Sequence, residues 1–174
     1  MSDLKEPLND RVQHLGRLLQ AQRLMLAVAE SCTAGGLGYA LTQASGASNW
    51  LDRGYITYSN DAKQQMLGVP AAYLRRFGAV SEPVARAMAV GALAQGRVQM
   101  AASITGIAGP SGATEGKPVG TVCFGWAIQR ESTATPWAKT ETRHFDGDRA
   151  AVREQSIAAA IDGLLDLLEH RQDV

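Results

Sequence analysis

Short apolar runs of strand length alternate along this chain with segments whose apolar residues recur at helical spacing, and few folds admit that alternation. Residues 24–30, 54–58, 98–104, 119–128 and 138–145 have strand composition. Between and around them, Leu8, Val12, Leu15, Leu18 and Leu19 mark a helix within residues 4–22. Residues 34–44 read as a helix loosened by Gly35, Gly36 and Gly38. Asn60 or Asp61 caps a short helix through Leu67, stopped by Gly68 and Pro70, and residues 71–77 supply one or two further turns. Ser81-Glu82-Pro83 starts the helix of residues 84–95, and Gly147-Asp148 opens a long final helix with Val152, Ile157, Ile161, Leu164, Leu165 and Leu168 largely on one face. The order, roughly αβαβααβββα, predicts an α/β protein, a three-layer α/β/α sandwich. The last strands follow one another through short loops, so at least one runs antiparallel and the sheet is mixed, mostly parallel. A length of 174 residues fits one domain, 1–174.

Charge narrows the function classes. Lysine plus arginine and aspartate plus glutamate each number 17, so neither a nucleic-acid nor an anionic-membrane partner is expected. Runs at Arg75-Arg76 and at 169–173 read as solvated surface. No apolar run reaches the roughly 20 residues of a membrane span, and the N-terminus is polar and acidic, unlike a signal peptide. Two cysteines, Cys32 and Cys123, fit a reduced cytoplasmic protein. His14, His144 and His170 lack ligand spacing, so no metal is expected.

The candidate chemistry begins at Ala29-Glu30-Ser31-Cys32-Thr33-Ala34-Gly35-Gly36, where a strand ends and a helix begins. A serine there is exposed beside free backbone N–H groups, as a nucleophile with oxyanion donors requires; small hydroxyl residues are also ordinary helix-start chemistry. Tyr58 and Lys63 follow the second strand and Thr105 follows the third. In an open α/β sheet ligands bind beyond the carboxyl ends of the parallel strands, so parallel strands would bring all of these to one rim. Lys63, in a helix first turn and partly buried, would have a lowered pKa and take the Ser31 proton; a solvated lysine is the alternative. Tyr58 either bridges serine and lysine through its hydroxyl, orients the lysine, or packs as an aromatic at a strand end, with Ser59 on the opposite face by alternation. Gly106-Ile107-Ala108-Gly109-Pro110-Ser111-Gly112 is an anion-site candidate or a structural turn. It is neither a Walker A loop nor a dinucleotide fingerprint. Arg149 and Arg153, one helical turn apart, either clamp a phosphate or stay solvated. Cys32 is a rival nucleophile, with a thiol pKa expected to be depressed at the helix start.

Those segments, with Gly-Tyr-Ile-Thr-Tyr-Ser-Asn-Asp-Ala-Lys at 54–63 and Gly-Ala-Val-Ser-Glu at 78–82, resemble the CinA C-terminal domain family in the same order, from about residue 24 to the final helix. The resemblance implies an α/β/α sandwich that hydrolyses the carboxamide of nicotinamide mononucleotide to nicotinate mononucleotide and ammonia, in pyridine nucleotide recycling, with no cofactor. It implies catalysis by Ser31, Tyr58 and Lys63, in the family's stand-alone form, and self-association, here as a dimer. Substrate contacts are then expected from Thr33, Gly35, Thr105, Gly106, Ala108, Gly109, Ser111, Gly112 and Arg149, with the oxyanion held by backbone N–H groups around Thr33 to Gly35. The competing reading is a catalytically silent nucleotide-binding module on the same fold.

Overall fold

In the computed structural model, which describes residues 6–129 and 134–170, the elements run α1 (Leu8–Ala21), β1 (Leu26–Glu30), α2 (Gly36–Leu41), a 3-10 turn (Ala47–Asn49), β2 (Leu51–Ile56), α3 (Asn60–Leu67), α4 (Ala71–Phe77), α5 (Glu82–Gly96), β3 (Met100–Gly106), β4 (Thr121–Ile128), β5 (Trp137–His144) and α6 (Arg149–Glu169). The first residues of the expected 4–22 helix and the end of the 169–173 charge run lie outside the described residues. The sheet order is β2-β1-β3-β4-β5. β1 pairs parallel with both β2 and β3, whereas β3–β4 and β4–β5 are antiparallel. The sheet is therefore mixed, and only β4 runs against the other strands.

Side-chain size on the two faces of this sheet sets how closely each helical layer approaches. Leu26 and Val28 of β1, Met100, Ala102 and Ile104 of β3, and Phe124 and Trp126 of β4 point to one face and pack against α1, α2 and α6. The intervening positions, Ala27, Ala29, Ala101 and Ala127, face α5. This is the two-residue period of a strand, with bulk on one side and alanine on the other. The alanine face lets α5 settle close: Ser103 Oγ donates to the Ala85 carbonyl at 2.6 Å, and a Cβ at Gly125 would stand 2.5 Å from that same oxygen. On the opposite face Trp126 stacks on Phe124 with centroids 5.5 Å apart and donates its indole N–H to the Ala160 carbonyl at 3.0 Å, so this large buried side chain leaves no polar atom unpaired.

Most elements begin or end within two residues of expectation, and three departures bear on the site. The second strand is Leu51–Ile56 rather than 54–58, because pairing with β1 begins at Leu26↔Leu51 and carries the exposed, charged Asp52 and Arg53 along the sheet edge. Tyr58 and Ser59 thus lie past the strand, and alternation does not govern them. Ser59 is instead the cap of α3, its Oγ accepting from Ala62 N at 3.0 Å, in place of Asn60 or Asp61. The helix expected over 34–44 shortens to Gly36–Leu41, with Ala34 and Gly35 both at positive φ before it.

Candidate active site

Because β1, β2 and β3 are parallel, Glu30 stands level with Ile56 and with Ile104, and the loops after all three strands share one rim. Ser31 is the first residue past β1, its N–H donating to the Ile104 carbonyl at 3.0 Å. Lys63, on the first turn of α3, reaches back under that loop. It is 1% exposed, its Nζ lying 3.1 Å from Ser31 Oγ and 2.7 Å from the Thr57 carbonyl that accepts from it. Burial lowers its pKa from 10.5 to about 8, only slightly offset by the neighbouring Cys32 thiol. About a tenth of such lysines are neutral at pH 7, and a neutral amine at this distance can accept the serine proton.

Cys32 does not compete. Burial raises its thiol pKa to about 11, against only modest lowering by its own backbone N–H and by Arg153 and Lys63. The depressed value expected from the helix start fails because the cysteine is enclosed, 5% exposed, rather than open to solvent.

A cavity of about 340 Å³ opens over Ser31 and Lys63. Of the expected substrate contacts, Thr105, Gly106, Ala108, Gly109, Ser111, Gly112 and Arg149 all line it, as does Tyr58. The glycine loop takes its shape from backbone conformations that favour glycine, with Gly109 at φ +80° and Gly112 at φ +98°. Thr105 turns its hydroxyl to the Ala79 carbonyl at 2.9 Å and so draws the 78–81 loop onto the rim. Arg149, the first residue of α6, spans two walls: it donates to the Gly109 carbonyl at 2.8 Å and to the Tyr58 hydroxyl at 3.1 Å. The Tyr58 hydroxyl therefore meets Arg149, while the amine of Lys63 is oriented by Thr57. Arg153 donates to the Thr33 carbonyl at 3.0 Å and lies outside the cavity lining.

Thr33 and Gly35 also lie outside the lining. Thr33 is fully buried, its hydroxyl without a partner among the described residues. The N–H of Gly35 donates to Glu30 Oε2 at 3.1 Å and that of Ala34 to the Ser31 carbonyl at 3.1 Å. The backbone N–H groups of Cys32 and Thr33 meet no backbone acceptor among the described residues, that of Cys32 lying against its own thiol, and of these two residues Cys32 borders the cavity. Sequence reasoning missed Asn60, read only as a cap, and Ala79 and Val80, all of which line the cavity, as does Ile107 of the glycine loop. It also missed Thr57, which acts through a backbone carbonyl, and Glu30. For Ala79 and Val80 the signal was present in the 78–82 segment. For Glu30 it was an acidic residue closing an apolar strand before a glycine-rich helix. Among the described residues no group of three or more His, Cys, Asp or Glu side chains is placed to hold a metal ion, and no helix is long and apolar enough to cross a membrane.

Comparison with known proteins points to one family. The family model for the CinA C-terminal domain matches residues 8–168. Nicotinamide-nucleotide amidohydrolase PncC of Pseudomonas putida is 42% identical over 162 residues, 93% of this chain and 98% of its own. The protein of the same name from Escherichia coli K12 is 47% identical over 87% of this chain and 89% of its own. The crystal structure of a competence-damaged protein (CinA) superfamily protein from Klebsiella pneumoniae superimposes with a TM-score of 0.87 at 33% identity, covering 95% of this chain and 99% of that one.

Proposed function

The chain belongs to the CinA C-terminal domain family, and from that premise we propose that it hydrolyses the carboxamide of nicotinamide mononucleotide, giving nicotinate mononucleotide and ammonia, by a serine–lysine mechanism. The observation that carries the mechanism is the buried Lys63 amine 3.1 Å from Ser31 Oγ, with a pKa lowered to about 8. The substrate class rests on the named amidohydrolase relatives.

Ser31 Oγ attacks the carboxamide carbon while its proton passes to Lys63 Nζ. The carbonyl oxygen, now negative, is held by the backbone N–H of Cys32, the residue of this turn next to Ser31 on the cavity wall. The carbon–nitrogen bond breaks as the Lys63 ammonium returns its proton to the leaving nitrogen, which departs as ammonia. Water then attacks the acyl-enzyme and gives its proton to Lys63. The bond from carbon to Ser31 Oγ breaks, the serine regains its proton and the carboxylate product leaves. Arg149 and the N–H groups of the glycine loop receive the substrate phosphate. Tyr58 orients Arg149 through its hydroxyl. The enzyme works in the cytoplasm in pyridine nucleotide recycling, as a homo-oligomer.

Ammonia release from nicotinamide mononucleotide by wild type and by Ser31→Ala, in the presence of chelator and with product mass determined, tests this reading. Turnover by wild type alone is the expected result. No turnover by a folded wild-type protein would sink it.

A further inference from the structure

We propose that Glu30 is a positioning residue for this hydrolysis, its carboxylate holding Ser31 and the oxyanion donor in place; the proposal rests on the serine-amidase reading of the site. Glu30 ends β1, next to Ser31, and is 2% exposed. Its carboxylate accepts three backbone N–H bonds: Oε2 from Gly35 at 3.1 Å and Leu37 at 3.0 Å, and Oε1 from Gly38 at 2.9 Å. The buried charge is thus met by the amino end of α2, in hydrogen bonds of the charge-assisted kind.

The helix it holds has little stability of its own. α2 is six residues long, contains Gly36 and Gly38 and follows Gly35 at φ +94°; a helix so short and so rich in glycine does not persist alone. Gly35 is required by its positive φ, and the neighbouring side chains leave little room over it and Gly36. A Cβ at Gly36 would stand 2.7 Å from Ile157 Cδ1, and one at Gly35 would stand 3.2 Å from Ile56 Cδ1. Glu30 supplies the anchor that the helix lacks.

What the carboxylate closes is the loop from Ser31 to Ala34. Inside that loop the backbone bonds are Ala34 N to the Ser31 carbonyl and Gly36 N to the Thr33 carbonyl, at 3.1 and 3.0 Å. By taking the N–H groups of Gly35, Leu37 and Gly38, Glu30 fixes the far end of the turn that follows the nucleophile, within which the N–H groups of Cys32 and Thr33 meet no backbone acceptor. The Glu30 carbonyl accepts from Thr57 N at 2.8 Å, and the Thr57 carbonyl in turn accepts from Lys63 Nζ at 2.7 Å. One residue therefore ties the nucleophile's loop to the base's support.

The test is Glu30→Gln, which keeps the side chain's shape but turns one acceptor oxygen into an amide that faces N–H donors. The first readout is covalent labelling of Ser31 by a fluorophosphonate, followed by intact mass, which does not depend on the natural substrate. The second is the kcat and KM for nicotinamide mononucleotide. Labelling and kcat are expected to fall about 10- to 100-fold with KM changed less than about threefold, because geometry at the reacting atoms is lost while binding is kept. The midpoint of the labelling pH profile should stay at the wild-type value, since Lys63 keeps its surroundings. Labelling within about twofold of wild type, whatever happens to Tm, would overturn the proposal. A displaced midpoint would overturn it too, by showing that Glu30 acts on the base. If Glu30→Gln does not fold, Glu30→Asp, which draws the carboxylate back by one methylene, decides: slowed labelling supports the role and unchanged labelling ends it. Wild type that labels at Ser31 but leaves the nucleotide intact would refute the substrate reading while the labelling comparison still judges Glu30.

Discussion

Lys63 and Arg149 both sit in the first turn of a helix, where the macrodipole disfavours a positive side chain. Both nevertheless face the same cavity. For Lys63 the unfavourable placement and the burial act in one direction, toward the neutral amine. The folded pKa near 8 lies below the ordinary 10.5, so the base is lost by protonation as pH falls through 8. We expect log kcat/KM to rise with unit slope below that value and to level off above it; a profile flat well below neutrality would exclude a neutral lysine as base. Lys63→Met should reduce turnover about 10³-fold. It should also leave the protein as stable or more stable at pH 7, because a buried amine, protonated there and without a carboxylate partner, gives way to an apolar side chain of similar length. Equilibrium urea unfolding alongside activity checks this; a variant that loses both would show the lysine to be structural.

The elements carry these residues by close approach, and α3 on α5 is the tightest. A Cβ at Gly91 of α5 would overlap the Leu67 carbonyl oxygen of α3, one helical turn beyond Lys63. Gly91→Ala should therefore push α3 outward, costing about 1–3 kcal/mol and lowering Tm by roughly 2–12 °C. It should also reduce kcat through displacement of Lys63 from Ser31. Thermal unfolding and kinetics of the one variant check both, and an unchanged kcat at a lowered Tm would free the base from this contact. Nothing in the sequence distinguishes Gly91 from an ordinary helical glycine. The alternation of elements, the rim shared by Ser31, Lys63 and the glycine loop, and the capped final helix were all legible, because each is a local pattern that the parallel sheet then brings together. Edge pairing was not: β2 displays charge at Asp52 and Arg53, so its first half did not read as a strand. The partner of the Tyr58 hydroxyl was hidden for another reason, since Arg149 lies 91 residues further along the chain. Glu30 was visible as a residue but not as a contact, its partners being backbone N–H groups in a loop whose path the sequence leaves open.

At the scale of the molecule, the two faces of the sheet divide the work. The face of α1, α2 and α6 holds the bulky core, including Trp50, Trp126 and the partly buried Trp137. The face of α3, α4 and α5, which carries Lys63, is built from small and aliphatic residues. These three are all the tryptophans in the chain, so intrinsic fluorescence reports one face only, while far-UV circular dichroism reports both. The strands between them are shared: Ala27 faces one layer and its neighbours Leu26 and Val28 the other. Loss of either layer uncovers the same β1 and β3 backbone that fixes Ser31. The two faces are accordingly expected to unfold as one cooperative unit, with fluorescence and circular dichroism transitions coinciding in urea. Gly91→Ala sharpens the test, because its damage falls on the face without tryptophan. In a single unit the fluorescence midpoint drops together with the circular dichroism midpoint. Were the α3–α5 layer able to open alone, circular dichroism would fall first, fluorescence would stay at its wild-type midpoint, and Lys63 would leave Ser31 in a protein whose tryptophans still report it folded.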